Sequence, residues 1–274
     1  RIFLIWTTTR LAFSTGADLG IEVYRRTLYQ PYWVHASQNS SEVIAGITNK
    51  TDAVVFSVLV PLLTFLSSTV LVVIIMIALI ATDPVIALLA GVGFGCSYVV
   101  ITWLARRQLR RNSYRIAAEQ TRVHKALQEG LGGIRDVLLD NAQSVYCDVF
   151  RRADLTLRQA QGSTVFIGGS PRYAMEALGM VVIAALAYFL SQEVGGISSA
   201  LPILGMLALG AQRLLPSLQQ IYYSWASITG YQASLADTIA LLDQPLPQEF
   251  LEPATTQLLI QDEIRLDAVR FRYT

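Results

Sequence analysis

Two ionisable residues lie in a long apolar stretch, where charged side chains are costly to place. Arg172 and Glu176 are one helical turn apart within residues 162–191, which carry no other charge, and Arg213 lies in the next apolar stretch. A charge at mid-membrane costs roughly 2.5–3.5 kcal/mol on insertion scales. We therefore expect the three residues to face a bundle interior or a wet cavity. They would form either a structural ion pair or a substrate-binding group, and both alternatives stay open.

Other chemistry is missing from the sequence. A phosphate-binding P-loop needs Gly-Lys before Ser or Thr, but the two lysines, Lys50 and Lys125, follow Asn49 and His124. We therefore expect no catalytic residue for ATP hydrolysis in this chain. The two histidines and two cysteines are isolated from one another, so neither a metal site nor a disulfide framework is expected.

Charge distribution indicates an integral membrane protein. Residues 53–82 and 84–105 contain no Asp, Glu, Lys, Arg or His, and each run exceeds the ~20 residues that span a bilayer as a helix. Eleven of the 21 Lys and Arg residues lie between Arg106 and Arg158, whereas the two short breaks between apolar spans hold only Asp83 and Glu193. The basic segment is therefore cytoplasmic. Because apolar spans flank it on both sides, it is not expected to bind nucleic acid.

Apolar patterning predicts five long helices, at about residues 2–28, 41–82, 84–139, 160–191 and 199–242. The third would be ~80 Å long, more than twice a bilayer core, and must project into the cytoplasm. Two short amphipathic helices are predicted at cytoplasmic tips, at residues 30–37 and 141–150. Residues 264–273 alternate apolar and polar side chains, which predicts a short strand.

This plan resembles the transmembrane domain of ABC exporters. Three segments carry the resemblance: Leu131–Val137 followed by Asn141 and Phe150, then Ser234–Pro245, then Ile264–Tyr273. The resemblance implies an all-α membrane bundle with five of six helices present, the first being absent. It implies a transmembrane domain at residues 1–242, a linker at 243–262 and the start of a nucleotide-binding domain at 263–274, in a multi-pass protein of the bacterial inner (plasma) membrane.

The resemblance also implies roles for individual residues. Tyr273 would stack on the adenine of ATP, which is bound with Mg mainly by the missing nucleotide-binding domain; the alternative is an ordinary strand tyrosine. The two tip helices would be coupling helices that grip nucleotide-binding domains through exposed Tyr32, Trp33, Tyr146 and Phe150; the alternative is a self-packed hairpin end. The implied partners are a second copy or a paralogous half-transporter, nucleotide-binding domains and membrane lipids, with no nucleic acid.

Two short motifs narrow the resemblance. Residues 29–32 (YQPY) and 170–176 (SPRYAME) are similar to those of exporters that flip lipid-linked oligosaccharides or related glycolipids. This implies an ATP-driven exporter or flippase that works by alternating access, with Arg172 facing an anionic phosphate. The alternatives are a secondary active transporter, with Arg172, Glu176 and Arg213 as its ion site, and a non-transporting membrane scaffold.

Overall fold

The described part of the computed structural model consists of helices and their connections. It covers residues 2–37, 44, 46–82, 84–191, 196–245 and 267–270; for some residues near the outer helix ends it describes the backbone alone. The helices are α1 (Ile2–Leu28), α2 (Tyr32–Ser37), π1 (Gly46–Lys50), α3 (Thr51–Val54), π2 (Val55–Leu59), α4 (Val60–Thr82), α5 (Pro84–Gly132), α6 (Ile134–Leu139), α7 (Gln143–Ser191), α8 (Gly196–Gly230) and α9 (Gln232–Leu242). The predicted all-α class is confirmed.

Two helices set the dimensions of the bundle. α5 and α7 have 49 residues each, which corresponds to about 73 Å, more than twice the ~30 Å of a hydrocarbon core. α7 packs along both α5 and α8, and α8 also packs along α4. No residue with a helix-breaking geometry interrupts α5 between the apolar residues 84–105 and the basic residues that follow, so it leaves the membrane as one rigid rod.

The membrane-spanning character is clearest in the helical stretch from π1 to α4. Within the described residues, Gly46–Ala81 is the one stretch long and apolar enough to cross a membrane, and only 6% of its most apolar window is buried. An apolar core helix of a soluble protein would be mostly covered by its neighbours. The exposed apolar surface of this stretch therefore matches a lipid-facing helix.

The connection between α5 and α7 differs from the prediction of one helix to Leu139 followed by a short helix at residues 141–150. α5 ends at Gly132, Gly133 leaves helical geometry (φ −98°, ψ 24°), and the short helix is α6. Asn141 then has a positive φ of 50°, a conformation that asparagine tolerates better than most residues. The prediction of a separate short helix at residues 141–150 was wrong. The turn at Asn141 lies before Gln143, and residues 143–150 form the first turns of α7.

The last helical segment is also divided. α8 ends at Gly230, Tyr231 is non-helical (φ −124°, ψ 13°), and α9 begins at Gln232. The first backbone N–H groups of a helix lack intrahelical partners. Here Ser113 of α5 supplies one, since its Oγ accepts a hydrogen bond of 2.8 Å from the Ala233 N–H. The break at Tyr231 is therefore stabilised by a contact from a distant helix.

The predicted terminal strand is not supported. Only Asp267–Arg270 of that segment lie among the described residues, and they form a bend without strand structure. A lone strand has no partner for its backbone hydrogen bonds, so alternation of residue types alone does not suffice to form one.

Side chains of α5, α7 and α8 form the interior of the bundle in two clusters. The first consists of Tyr98, Leu109, Met175, Leu215, Tyr222 and Ala226. The second, further toward the cytoplasmic tip, consists of Ile116, Val123, Ala153, Leu157 and Ala160. Between them, Asn112 donates to Thr164 Oγ1 at 3.2 Å, which satisfies an amide that is only 1% exposed. The clusters fix α5, α7 and α8 relative to one another.

Candidate substrate cavity

A cavity of about 820 Å³ lies between α5, α7 and α8. Its polar wall is made of Tyr98 from α5, Arg172 and Glu176 from α7, and Gln212, Gln219, Gln220, Tyr222 and Tyr223 from α8. Glycines and apolar side chains of α7 and α8 complete it: Gly168, Gly169, Tyr173, Gly179, Met180, Leu215 and Pro216. The size falls within the 300–1,000 Å³ typical of small-molecule sites.

Arg172 and Glu176 form an ion pair on the wall of this cavity. The Arg172 Nε–H donates to Glu176 Oε1 at 3.0 Å, and Gln219 Nε2 donates to the same oxygen at 3.5 Å. The side chains remain 60% and 38% exposed, respectively. Because a guanidinium has five N–H donors and Glu176 engages the one at Nε, Arg172 can still bind an anion.

Arg172 and Glu176 lie far along α7 from its end at Ser191. Arg172 is 19 residues from the outer end of α7 at Ser191, which corresponds to about 28 Å along the helix. With a hydrocarbon core of ~30 Å, a helix that enters the membrane at Ser191 would have Arg172 near the opposite boundary, which the charge distribution predicts to be the cytoplasmic one.

Two tyrosines that sequence reasoning missed stand beside the pair. The rings of Tyr98 and Tyr222 are 5.7 Å apart, and the Tyr222 hydroxyl donates to the Ile167 carbonyl at 3.2 Å. The Tyr98 hydroxyl is buried and has no hydrogen-bond partner among the described residues. Neutral polar residues in an apolar helix do not stand out by charge. Helical spacing from Arg172 does not indicate Tyr98 or Tyr222 either, because they lie on other helices.

Two further predicted residues fall outside what the structure describes. The backbone of Arg213 belongs to α8, but its side chain is not described, and Tyr273 lies beyond the described residues. Their predicted roles stay predictions.

The predicted coupling residues divide into two groups. Tyr32 and Trp33 of α2 are 85% and 71% exposed. Tyr146 instead lies against Gly130, where an added Cβ would be 3.4 Å from its ring. Phe150 packs on the second interior cluster, because this face of α7 turns toward α5. Phe150 is therefore half-buried, and its predicted docking role stays a prediction.

An exposed apolar surface does occur at the tip formed by α5 and α6. It consists of Leu131, Ile134, Leu138 and Leu139, which are 46–70% exposed. Exposed apolar side chains grouped in this way are typical of contact surfaces.

Comparison with known proteins agrees with this architecture. The family model of the ABC transporter transmembrane region matches residues 3–208. The chain belongs to this family. Its fold is that of an ABC exporter transmembrane domain: it superposes with a TM-score of 0.64 on a bacterial Atm1-family ABC exporter with ATP bound, at 14% sequence identity. The family match favours an ABC exporter over the alternative of a secondary active transporter.

The match covers 86% of this chain but 41% of the solved exporter chain. The chain thus spans less than half of that ABC exporter. A comparison with curated protein sequences found no match.

Proposed function

We propose that the chain is the membrane-spanning half of an ATP-driven exporter that moves an amphipathic, anionic substrate out of the cytoplasmic leaflet. The observation that carries this proposal is the partly exposed Arg172–Glu176 pair in an 820 Å³ cavity at the cytoplasmic level of the membrane. A charged pair there is costly unless water or a polar ligand solvates it. Substrate binding gives the exposed guanidinium such a partner.

The cavity wall supports the narrower proposal of a lipid-linked substrate. Tyr173 and Met180, on the same helix as Arg172, line the cavity and are 71% and 69% exposed. They present apolar surface directly beside the ion pair. A molecule with an anionic head and an apolar chain matches both parts, since guanidinium binds phosphate oxygens in a bidentate manner. This fits a flippase of lipid-linked oligosaccharides or glycolipids.

Energy for transport would come from outside the 274 residues. No P-loop sequence is present in them, so ATP and Mg would be bound by a nucleotide-binding domain, with Tyr273 stacking on the adenine. Exposed Tyr32 and Trp33 on α2, and the apolar tip around Ile134 and Leu138, would be the surfaces that grip such domains. Tyr146 and Phe150 would then support the second surface from behind.

A second copy or a paralogous half-transporter would complete the transport path. The cavity is open on the side where Tyr173 and Met180 are exposed, and a half-transporter facing it would enclose the substrate. Alternating access needs two states, inward-open and outward-open, whose populations ATP binding and release would shift. A bacterial inner membrane is the proposed location.

Charge reversal tests whether Arg172 binds substrate or serves only as half of an ion pair. The test protein is the full-length transporter in lipid nanodiscs, and the readout is stimulation of ATP hydrolysis by a polyprenyl phosphate. In the double variant Arg172→Glu/Glu176→Arg the pair can re-form, but the cation has moved one turn. We expect the double variant to be stable. It should need at least a tenfold higher concentration of polyprenyl phosphate for half-maximal stimulation of ATP hydrolysis. Full recovery would show a structural pair and contradict the proposal.

The chain offers a matched control. Asp154 and Arg158 are also four residues apart on α7 and paired at 3.3 Å, but they lie on the cytoplasmic extension, away from the cavity. The reversal Asp154→Arg/Arg158→Asp should leave stimulation by the lipid phosphate unchanged. Loss of stimulation in this variant as well would mean that charge reversal on α7 acts through the helix rather than through substrate contact.

A further inference from the structure

A second cavity of about 310 Å³ lies beside the first, between the helical stretch π2–α4, α7 and α8. Its polar lining residues are Ser57, Thr64, Thr164, Gln220, Ser224, Ser227 and Tyr231, and none of its described lining residues is charged. Its apolar lining residues are Phe56, Val60, Pro61 and Val165. Its volume is at the lower end of the range for ligand sites, which suits one ring-sized group.

The two cavities share part of their walls. Gly168, Gln220 and Tyr223 line both of them. The second cavity therefore adjoins the first across Gln220 and Tyr223, next to the space beside Arg172. The first cavity contains the charged side chains of Arg172 and Glu176, and the second cavity offers neutral hydrogen-bonding groups.

We propose that the second cavity is a subsite for a polyhydroxylated, sugar-like group joined to the anionic group that Arg172 binds. This inference rests on the proposed function, since it assigns a further part of the same substrate. Gln220 and Tyr223, at the shared wall, are the residues that determine specificity for this group.

Hydroxyl orientation in the second cavity favours a ligand that donates hydrogen bonds. Thr64 Oγ1 donates to the Val60 carbonyl at 2.9 Å, and Ser227 Oγ donates to the Ser57 carbonyl at 2.9 Å. Their protons are used, so these oxygens offer lone pairs to the cavity. Sugar hydroxyls donate to such acceptors. Phosphate and carboxylate groups, which only accept when ionised, do not complement them.

The shared wall adds the two groups that a sugar ring needs. The Gln220 amide has two N–H donors and a carbonyl acceptor, so it can pair with adjacent hydroxyls that both donate and accept. Tyr223 is 48% exposed and offers an aromatic face for the apolar side of a ring. Tyr223 packs closely on Gly168, since an added Cβ there would lie 3.2 Å from Tyr223 Cδ2 and 3.4 Å from its Cε2.

The test compares two lipids of equal charge. One is a polyprenyl phosphodiester that carries a single hexose, and the other carries a methyl group in place of the hexose. The full-length transporter in nanodiscs is titrated with each, and the half-maximal concentration for ATPase stimulation is measured. We expect wild type to prefer the hexose lipid by about tenfold, which corresponds to one or two well-formed hydrogen bonds.

Two variants assign that preference to the second cavity. Gln220→Leu removes the amide at nearly constant volume and should weaken stimulation by the hexose lipid more than stimulation by the methyl lipid, so that the preference is lost. Gln212→Leu, on the same helix and lining only the first cavity, should retain the preference. Gly168→Ala should weaken stimulation by the hexose lipid, because the added Cβ would displace the Tyr223 ring from the shared wall.

The outcomes separate the two proposals. If wild type responds equally to both lipids, or if both glutamine variants lose the preference alike, the sugar subsite is refuted while anionic-lipid transport stands. If neither lipid stimulates wild type, the proposed substrate class itself fails. If Gln220→Leu weakened ATPase stimulation by both lipids equally, Gln220 would belong to the anion site rather than to a sugar subsite.

Discussion

The ion pair between Lys50 and Asp237 is expected to stabilise the fold asymmetrically. Lys50 Nζ lies 2.6 Å from Asp237 Oδ2, and it connects π1 to α9. The Lys50 side chain is 9% exposed, whereas that of Asp237 is 43% exposed. Removal of the aspartate leaves a buried ammonium without its partner, but removal of the lysine leaves a carboxylate that water can still reach.

This difference in burial sets the magnitudes. Breaking a buried pair by removing one partner costs about 3–5 kcal/mol when the remaining charge is uncompensated, while exposed pairs contribute about 0–1 kcal/mol. We expect Asp237→Ala to lower the free energy of unfolding by about 3 kcal/mol and Lys50→Met by about 1 kcal/mol. The double variant should be more stable than Asp237→Ala alone, because it no longer buries an unpaired charge.

Denaturant unfolding in mixed micelles, followed by tryptophan fluorescence, measures these free energies. The two single variants and the double variant complete a mutant cycle, which isolates the coupling between the side chains. The reasoning would be refuted if Lys50→Met destabilised as much as Asp237→Ala, or if adding Lys50→Met to Asp237→Ala gave no recovery.

Three further predictions concern packing and capping. Gly230→Ala places a Cβ 2.4 Å from Thr164 Cγ2 and should cost about 1–3 kcal/mol; Thr164→Ser, which removes that methyl group, should restore stability, and failure to do so would contradict the close contact. Phe150→Ala should lower stability by about 1–2 kcal/mol, since the half-buried ring packs on the second interior cluster; unchanged unfolding with uncoupled transport would instead favour direct docking. Ser113→Ala should cost about 1 kcal/mol through loss of the Ala233 contact, and equal denaturation midpoints would exclude it.

The long helices were predictable because their signal is continuous. After Pro84 at the helix start, residues 85–132 pass from an apolar to a basic segment without a proline or an extended polar break, and the structure has one helix there. Where the chain turns, local geometry decides. Three glycines at 130, 132 and 133 left the end of the helix ambiguous, and the turn at Asn141, with its positive φ, placed the start of α7 at Gln143, within the segment predicted as a separate short helix.

The cavity was only partly predictable. Arg172 and Glu176 stand out because charges in an apolar helix are costly. Tyr98 and Gln219 do not, since single neutral polar residues occur throughout membrane helices. Their meeting at one cavity depends on how α5, α7 and α8 pack, which the sequence pattern of each helix does not specify. The π-helical segments π1 and π2 left no recognisable sequence signal either.

The contacts of α9 connect the exposed α2 surface with the end of the bundle. Arg26, at the end of α1, donates to the Leu242 carbonyl, and Gln30, two residues before α2, donates to the Pro245 carbonyl at 3.0 Å. Lys50 adds the ion pair from π1. Hydrogen bonds and an ion pair thus hold α9 and the residues just after it to two separate parts of the chain, π1 and the end of α1 with Gln30. Single-turn π segments concentrate at functional sites, and π1 lies where these elements meet. Movement at the cytoplasmic tip would therefore be transmitted through α1, π1 and α9 as one unit, while α5 and α7 carry it toward the cavity.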